Sequence, residues 1–345
     1  MIEIGLLPLP GNIAAFIVAS AIIWWAGQAL AQAADAISEK TGLGSLLLGT
    51  LVLGGITSLP EVAVSVSAGF TGAAKLGVNN LLGSIALQIV VLALGDWILG
   101  RRALSFVTGK PVVLLQGLFG AVLLVAVAVA VVVGDHAFAG AGLWTFGLFG
   151  ATVLLLWIVF LEERNDRSGW RPTDLPSKRD IPGKTAIPLS ISAASRRIVL
   201  CAALILAAGY GVARIGDAIA HQSGLGGSFV GATFLGLTTS LPEISSLVAA
   251  VRLRRFAMAF GNIFGTNILT VAILFLTDIA YPDEPILNQV GSFASVAALL
   301  GATVTLLYVS GLVERRDTTI GRLGIDSWAV LVVYAAGVGL LYTIR

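Results

Sequence analysis

The sequence predicts an all-α, polytopic membrane protein with ten transmembrane helices in two inverted-topology five-helix repeats. Three observations carry this expectation. Hydrophobic residues make up 57% of the 345 positions and charged residues only 12%, with a mean hydropathy of +0.95; a soluble domain carries roughly 25% charged residues. Apolar runs recur at the length that crosses a bilayer. The chain also matches itself at one fixed offset.

Taken in order, the apolar runs place helices near residues 10–34, 44–69, 76–99, 111–133, 142–161, 198–220, 226–250, 258–280, 290–312 and 327–344. The first is expected to be retained rather than cleaved. Glu3 stands where a secretory signal is positively charged, and the run from Asn12 onward lacks a small-residue cleavage site. A polar, proline-containing stretch from Glu162 to Arg197 separates the fifth run from the sixth and reads as a connector. The expected organisation is therefore a first repeat over 1–161, a cytoplasmic linker over 162–197 and a second repeat over 198–345. The single cysteine, Cys201, lies in an apolar run and reads as a small core residue.

Basic residues sort by membrane side. With the N-terminus outside, the inner loops hold Lys40; Arg101, Arg102 and Lys110; the eight of the linker; Arg252, Arg254 and Arg255; and Arg315, Arg316 and Arg322. That is 18 of the 21 Lys and Arg. The outer side receives Lys75 and Arg345, and Arg214 falls inside the sixth run. Both termini are thus expected outside, with the linker in the cytoplasm of a plasma-membrane protein. Since orientation accounts for the basic residues, no nucleic-acid partner is expected. A large soluble catalytic domain is excluded by composition, and the oligomeric state is left open.

Sliding the chain along itself until Asp35 meets Asp217 aligns Asp35–Asp96 with Asp217–Asp278 without a gap, and 22 of 62 positions are identical. The strongest block sets Gly49–Glu61 over Gly231–Glu243 with eight of thirteen identical; a second pairs Asn80–Ile85 with Asn262–Asn267. Five crossings is an odd number, so the two halves enter the membrane from opposite sides. Such inverted repeats build secondary transporters, whose sites lie at the midplane on broken helices.

Glu61 and Glu243 each follow a proline deep in an apolar run. Intramembrane carboxylates are costly and are functional by default. At matched positions of antiparallel halves, the two are expected to face each other. Pro60 and Pro242 lack an N–H and loosen carbonyls one turn earlier, near Ile56 and Thr238. Gly54, Thr57, Ser58, Gly236, Thr239 and Ser240 lie beside them. Carbonyls, hydroxyls and carboxylates together form an all-oxygen site suited to hard cations such as Ca²⁺ and Na⁺. Asn80, Asn262, Ser84, Thr266, Asn267, Gln88 and Thr270 add polar groups along the third and eighth helices, several of them expected to line the ion path. Gly83 and Gly265 serve close helix packing or the site, with both readings open. Asp96 and Asp278 end their helices and are expected to be solvated at the interface. Asp35 and Asp217 also fall at helix ends, where a vestibule role stands beside a structural one. Arg214 is expected to pair with Asp217 on one helix face. His136 and His221 read as outer-loop residues.

These blocks resemble the cation/calcium exchanger superfamily, and most closely the prokaryotic sodium/calcium exchangers. The likeness rests on Thr57-Ser58-Leu59-Pro60-Glu61 with Asn80, Gly83 and Ser84, and on Thr239-Ser240-Leu241-Pro242-Glu243 with Gly261, Asn262, Gly265, Thr266 and Asn267. The ten-helix plan extends it to nearly the whole chain. The resemblance implies that the two glutamates ligate Ca²⁺. It also implies that neighbouring Thr and Ser, backbone oxygens at Gly54 and Gly236, and Ser84 with Thr266 complete Ca²⁺ and Na⁺ sites. The chain departs from the family where a further polar position, usually Asn in one half and Asp in the other, is Gln88 and Thr270. A third midplane carboxylate is missing, and two negative charges balance one Ca²⁺, two Na⁺ or two H⁺. Gln at this place is more similar to the proton-coupled branch of the superfamily.

The expectation is a non-enzymatic antiporter moving Ca²⁺ against Na⁺ or H⁺, with transported ions and no cofactor. A Na⁺/H⁺ exchanger, a cation channel and an intramembrane aspartyl protease are the competing readings. The last is disfavoured because Ala93-Leu94-Gly95-Asp96 sits at a helix boundary.

Overall fold

The computed structural model describes residues 8–100, 102–108, 110–165, 188–222, 231–282 and 285–344. The first half runs as follows: α1 Leu9–Thr41, α2 Ser45–Leu48, a π-helical turn Gly49–Gly54, α3 Gly55–Thr57, α4 Leu59–Phe70, α5 Ala74–Leu99, α6 Leu104–Val107 and α7 Pro111–Val133. A two-residue hairpin, β1 Ala137–Phe138 with β2 Ala141–Gly142, and α8 Leu143–Asn165 complete it. The second half contains α9 Ile191–Gln222, a π turn Gly231–Leu235, α10 Gly236–Thr239, α11 Leu241–Arg252 and α12 Phe256–Ala280. It ends with a 3₁₀ turn Ile286–Gln289, α13 Gly291–Glu314, the hairpin β3 Thr319–Ile320 with β4 Leu323–Gly324, and α14 Ile325–Thr343. Most elements of the second half begin at the offset of the sequence repeat from their counterparts: α9 follows α1 by that interval, α11 follows α4, α12 follows α5, β3 follows β1 and α14 follows α8.

Eight helices are long and apolar enough to cross a membrane among the described residues, and nine if the bent pair Ser45–Thr57 and Leu59–Phe70, angled by 45°, is one span. The expected span at 226–250 begins within 223–230, outside the described residues; from Gly231 to Arg252 the chain is helical with the same break. Helix α9 starts at Ile191, ahead of the expected 198, so Arg196 and Arg197 belong to it. The side chains of Asp217 and His221 lie outside the described residues, and with them the expected Arg214–Asp217 pair.

Helices α5 and α12 form the centre of the body and are its most enclosed spans, while α8, α9 and α14 turn most of their length outward. The outward faces carry apolar side chains such as Trp25, Val132, Trp157 and Val332, as a lipid-facing surface requires. Cys201 is buried among core residues.

Contacts gather the loops that carry most of the basic residues at one end. There Arg255 pairs with Asp35 and Glu39, Lys110 with Glu163 at 3.3 Å, and Arg102 with Asp317 at 3.9 Å. Arg315 donates to the Thr108 carbonyl at 2.9 Å. Glu163 also accepts from the Leu46 N–H at 3.0 Å, at the start of α2. At the opposite end, the Asp135 backbone and the Asn288 side chain exchange two hydrogen bonds of 2.7 and 2.9 Å.

The solvated, interfacial role expected for Asp96 and Asp278 is corrected by the structure, which buries both. Asp96 Oδ1 accepts from the Leu104 N–H at 2.6 Å, and its Oδ2 from the Gly324 N–H at 2.9 Å and the Ser327 hydroxyl at 2.7 Å. Asp278 accepts from the Ile286 N–H at 2.7 Å, the Gly142 N–H at 2.6 Å and the Thr145 hydroxyl at 2.5 Å. The two donor sets match at the repeat offset: Ile286 answers to Leu104, Gly324 to Gly142 and Ser327 to Thr145. Each carboxylate therefore caps helix starts of its own half and of the opposite half, where unpaired N–H groups and the helix dipole favour an anion. Helix starts, rather than water, solvate these two charges.

Asp96→Asn and Asp278→Asn each turn an amide NH₂ toward fixed donors. Each is expected to lower stability by about 2 kcal/mol, read as an earlier thermal unfolding in detergent micelles, with similar losses for the two.

Candidate functional site

The site forms where the two broken helices meet α5 and α12. In each half the π turn leads into a short helix that ends at Ser58 or Ser240, and a new helix starts with the proline in its first turn. Proline is tolerated there because its missing N–H would have had no helical partner. The break places Glu61 and Glu243 in the first turn of α4 and α11, where the helix dipole favours a carboxylate.

Both glutamates are fully buried. They are within Coulombic range of each other, and their surroundings are exchanged between halves: Thr239 lies beside Glu61, and Thr57 beside Glu243. None of the four carboxylate oxygens closes a hydrogen bond of ordinary geometry. The structure thus brings together the two acids that the repeat aligns.

The hydroxyls around them are braced on backbone. Thr57 Oγ1 donates to the Leu53 carbonyl at 2.9 Å and Thr239 Oγ1 to the Leu235 carbonyl at 3.0 Å. Ser58 Oγ donates to the Gly54 carbonyl at 2.7 Å. Ser84 Oγ lies 3.2 Å from Thr239 Oγ1 and 3.5 Å from the Gly236 carbonyl. Ser240 Oγ, Thr266 Oγ1, Thr270 Oγ1 and both amide atoms of Gln88 are buried without hydrogen-bond partners. Buried polar groups are rarely left so, and their concentration on α5, on α12 and at the break between α10 and α11 suits a polar ligand. Asn80 and Asn262 are held by serines that follow the glutamates. Asn80 Nδ2 donates to Ser65 Oγ at 3.3 Å, and Asn262 Nδ2 donates to Ser246 Oγ at 2.9 Å and to the Glu243 carbonyl at 3.3 Å. Asn267 is buried with both amide atoms unbonded.

Close backbone approach locks the halves together, also crosswise. A methyl group at Gly54 would stand 2.8 Å from Thr266 Oγ1, and one at Gly236 would stand 3.1 Å from the Ser84 nitrogen. One at Gly83 would overlap the Ala232 carbonyl, and one at Gly265 the Thr50 side chain. Close packing is therefore a role of Gly83 and Gly265. Gly27 of α1 rests on Pro242 and Ser245, and Gly209 of α9 on Pro60, so each long outer helix covers the proline turn of the opposite half.

Sequence reasoning missed Ser65 and Ser246, which brace the asparagines, and the buried pair in which Gln116 Nε2 donates to Thr50 Oγ1 at 2.7 Å. Ser65 and Ser246 stand four and three residues after the glutamates, a helical spacing that was available as a signal. Gln116 is a lone amide in an apolar run of α7, a second such signal.

Over residues 11–161 and 197–343 the sequence matches the family described as sodium/calcium exchanger protein. Among curated proteins it is 26% identical over 273 residues to the inner membrane protein YrbG of Escherichia coli, covering 76% of this chain and 77% of that one. It is 24% identical over 298 residues to CaxA of Alkalimonas amylolytica, which carries the name of an antiporter, covering 85% and 88%. Its fold is similar to that of the sodium-calcium exchanger NCX_Mj, with a TM-score of 0.65, 19% identity and coverage of 95% of this chain and 97% of that chain.

The crosswise packing makes a sharp contrast between neighbouring glycines. Gly83→Ala is expected to destabilise the protein by about 1–3 kcal/mol through overpacking. Gly55→Ala, where nothing stands within 4 Å, is expected to be neutral or mildly stabilising; thermal unfolding of the two variants in micelles measures the difference.

Proposed function

The chain belongs to the sodium/calcium exchanger protein family, and on that premise we propose that it is a secondary antiporter exchanging Ca²⁺ for Na⁺ across the plasma membrane. The observation that carries this reading is the pair Glu61 and Glu243, both fully buried, within Coulombic range of each other and each beside a threonine of the opposite half. In the proposed site the two carboxylates bind Ca²⁺. Hydroxyls of Thr57, Ser58, Thr239, Ser240, Ser84 and Thr266 and backbone oxygens of Gly54 and Gly236 complete Ca²⁺ and Na⁺ sites. Gln88 and Thr270 line the same space, and Asn80, Asn262 and Asn267 support the path.

Ten spans in two antiparallel repeats, over 1–161 and 198–345 with a cytoplasmic linker over 162–197 and both termini outside, give this site its access to both sides. The constant displacement between matching elements and the gathering of basic loops at one end support that plan. Two near-equivalent halves let one structure interconvert between outward-open and inward-open arrangements.

Coupling follows from electrostatics. An empty pair of like charges in a poorly polarisable interior resists enclosure, so the site reorients when Ca²⁺, Na⁺ or protons neutralise it. Ions thereby exchange rather than leak. A proton-driven exchange is the second reading, favoured by the neutral amide of Gln88 in the wall, which offers no further charge for Na⁺.

Glu61→Gln and Glu243→Gln are each expected to reduce Ca²⁺ uptake into inverted vesicles to the level of vesicles lacking the protein. Near-normal gradient-driven flux in both variants overturns the assignment. Imposing a Na⁺ gradient and a pH gradient separately on proteoliposomes identifies the driving ion; Na⁺ alone is expected to drive uptake.

A further inference from the structure

The end of the molecule that gathers the basic loops holds more acid than helix capping uses. Asp96 caps the start of α14 through Gly324 and Ser327, as Asp278 caps α8 through Gly142 and Thr145. A second carboxylate, Asp326 in the first turn of α14, stands beside Asp96. It lies in a cradle of two glycines. A methyl group at Gly311 would overlap the Asp326 side chain, and one at Gly324 would overlap Asp326 Oδ1 and stand 3.1 Å from Asp96 Oδ2. The two carboxylates thus border one methyl-sized space. Asp326 Oδ2 is buried without a hydrogen-bond partner, and so is the hydroxyl of Tyr308, a fully buried residue of α13 beside Asp96, Asp326 and Ser327. Capping does not require these additions: at the repeat offset, Tyr308, Gly311 and Asp326 are matched by Ala126, Val129 and Trp144, although the capping residues recur. No lysine or arginine among the described residues acts on Asp96 or Tyr308. Basic side chains of the same end are engaged elsewhere: Arg102 with Asp317, Arg316 with Glu314 and Arg315 with the Thr108 carbonyl.

We propose that Asp96, Asp326, Tyr308 and Ser327 form a second cation site, for a hard cation such as Ca²⁺, separate from the glutamate pair. Two adjoining carboxylates, a phenol and a hydroxyl are an all-oxygen set of the kind such cations take. A cation with ligands at about 2.3–2.6 Å bridges the space that the two acids border. The Ser327 hydroxyl rotates and can turn its lone pairs to the ion, while the Leu104 and Gly324 N–H groups keep Asp96 in place. Asp326 is only half-buried, so water reaches the site from that end and completes the coordination. Asp96 stands twelve residues beyond Ser84 on α5, about 18 Å of helix, which sets the site apart from the broken helices. A bound ion there joins α5, α13 and α14, and its occupancy reports the cation concentration on the side of the basic loops.

Equilibrium ⁴⁵Ca²⁺ binding to the purified protein in detergent micelles provides the test, and it needs no transport. The double variant Glu61→Gln/Glu243→Gln, which lacks the acids of the other site, is expected to bind one Ca²⁺ per chain. Adding Asp326→Asn, which keeps the side chain's size and leaves all three donors of Asp96, is expected to abolish that binding. No saturable binding by the double variant, or a Ca²⁺ retained after Asp326→Asn, overturns the proposal. Failure of the antiport reading gives a different result: the double variant and the unsubstituted protein then bind equally, and Asp326→Asn still removes the ion. Tyr308→Phe guards against a misfolded Asp326 variant, since it keeps the ring packed on Phe260 and Phe264. In the double-variant background it is expected to raise the Kd about tenfold, and an unchanged Kd contradicts the ligand set.

Discussion

Two buried carboxylates within Coulombic range of each other, with no cationic side chain beside them among the described residues, are the constraint on which this molecule turns. In water such a pair repels weakly. Buried in the first turns of α4 and α11, it closes no hydrogen bond of ordinary geometry, and its neighbours among the described residues are threonine hydroxyls and backbone. A fold that keeps such a feature must either protonate the acids or fill the space with cations. Hard cations match oxygen ligands of this kind, and the surrounding hydroxyls and amides extend the same chemistry without adding charge.

The rest of the body holds the pair in place by exchanging parts between halves. Thr57 serves Glu243 and Thr239 serves Glu61. Gly54 presses on Thr266 and Gly236 on Ser84. Asp96 caps the start of α14, and Asp278 that of α8. Because each half completes the other, neither glutamate's surroundings are set by its own half alone, and a shift in one broken helix bears on the glutamate of the opposite half. The outer helices α1 and α9 take part through Gly27 and Gly209, each lying against the proline that precedes a buried glutamate. The path from proline to carboxylate is a single residue long.

Much of this was legible in the sequence, for identifiable reasons. A gapless repeat aligned Glu61 with Glu243, and the apolar surroundings made both costly enough to demand a purpose. Proline before each glutamate foretold the broken helix. What could not be read was the origin of the donors. Asp96 takes its hydrogen bonds from Leu104, Gly324 and Ser327, the last two more than two hundred positions away, and a terminal aspartate looks the same whether solvated or capped. Extending the repeat past Asp96 to Gly142 and Gly324, and to Thr145 and Ser327, would have exposed the matching donors. The π turns Gly49–Gly54 and Gly231–Leu235 have no periodicity of their own, since one extra residue in a turn leaves the hydrophobic pattern nearly intact. Two-residue hairpins at 137–142 and 319–324 are too short for an alternating signal.

The most direct test is the position of the ion itself. Crystals grown with Ca²⁺ and measured for anomalous scattering should show a peak between the carboxylates of Glu61 and Glu243, with oxygen ligands at about 2.3–2.6 Å. That peak should vanish in crystals grown with chelator. A Ca²⁺ peak located elsewhere, or two glutamates turned apart with no density between them at saturating Ca²⁺, would contradict the account.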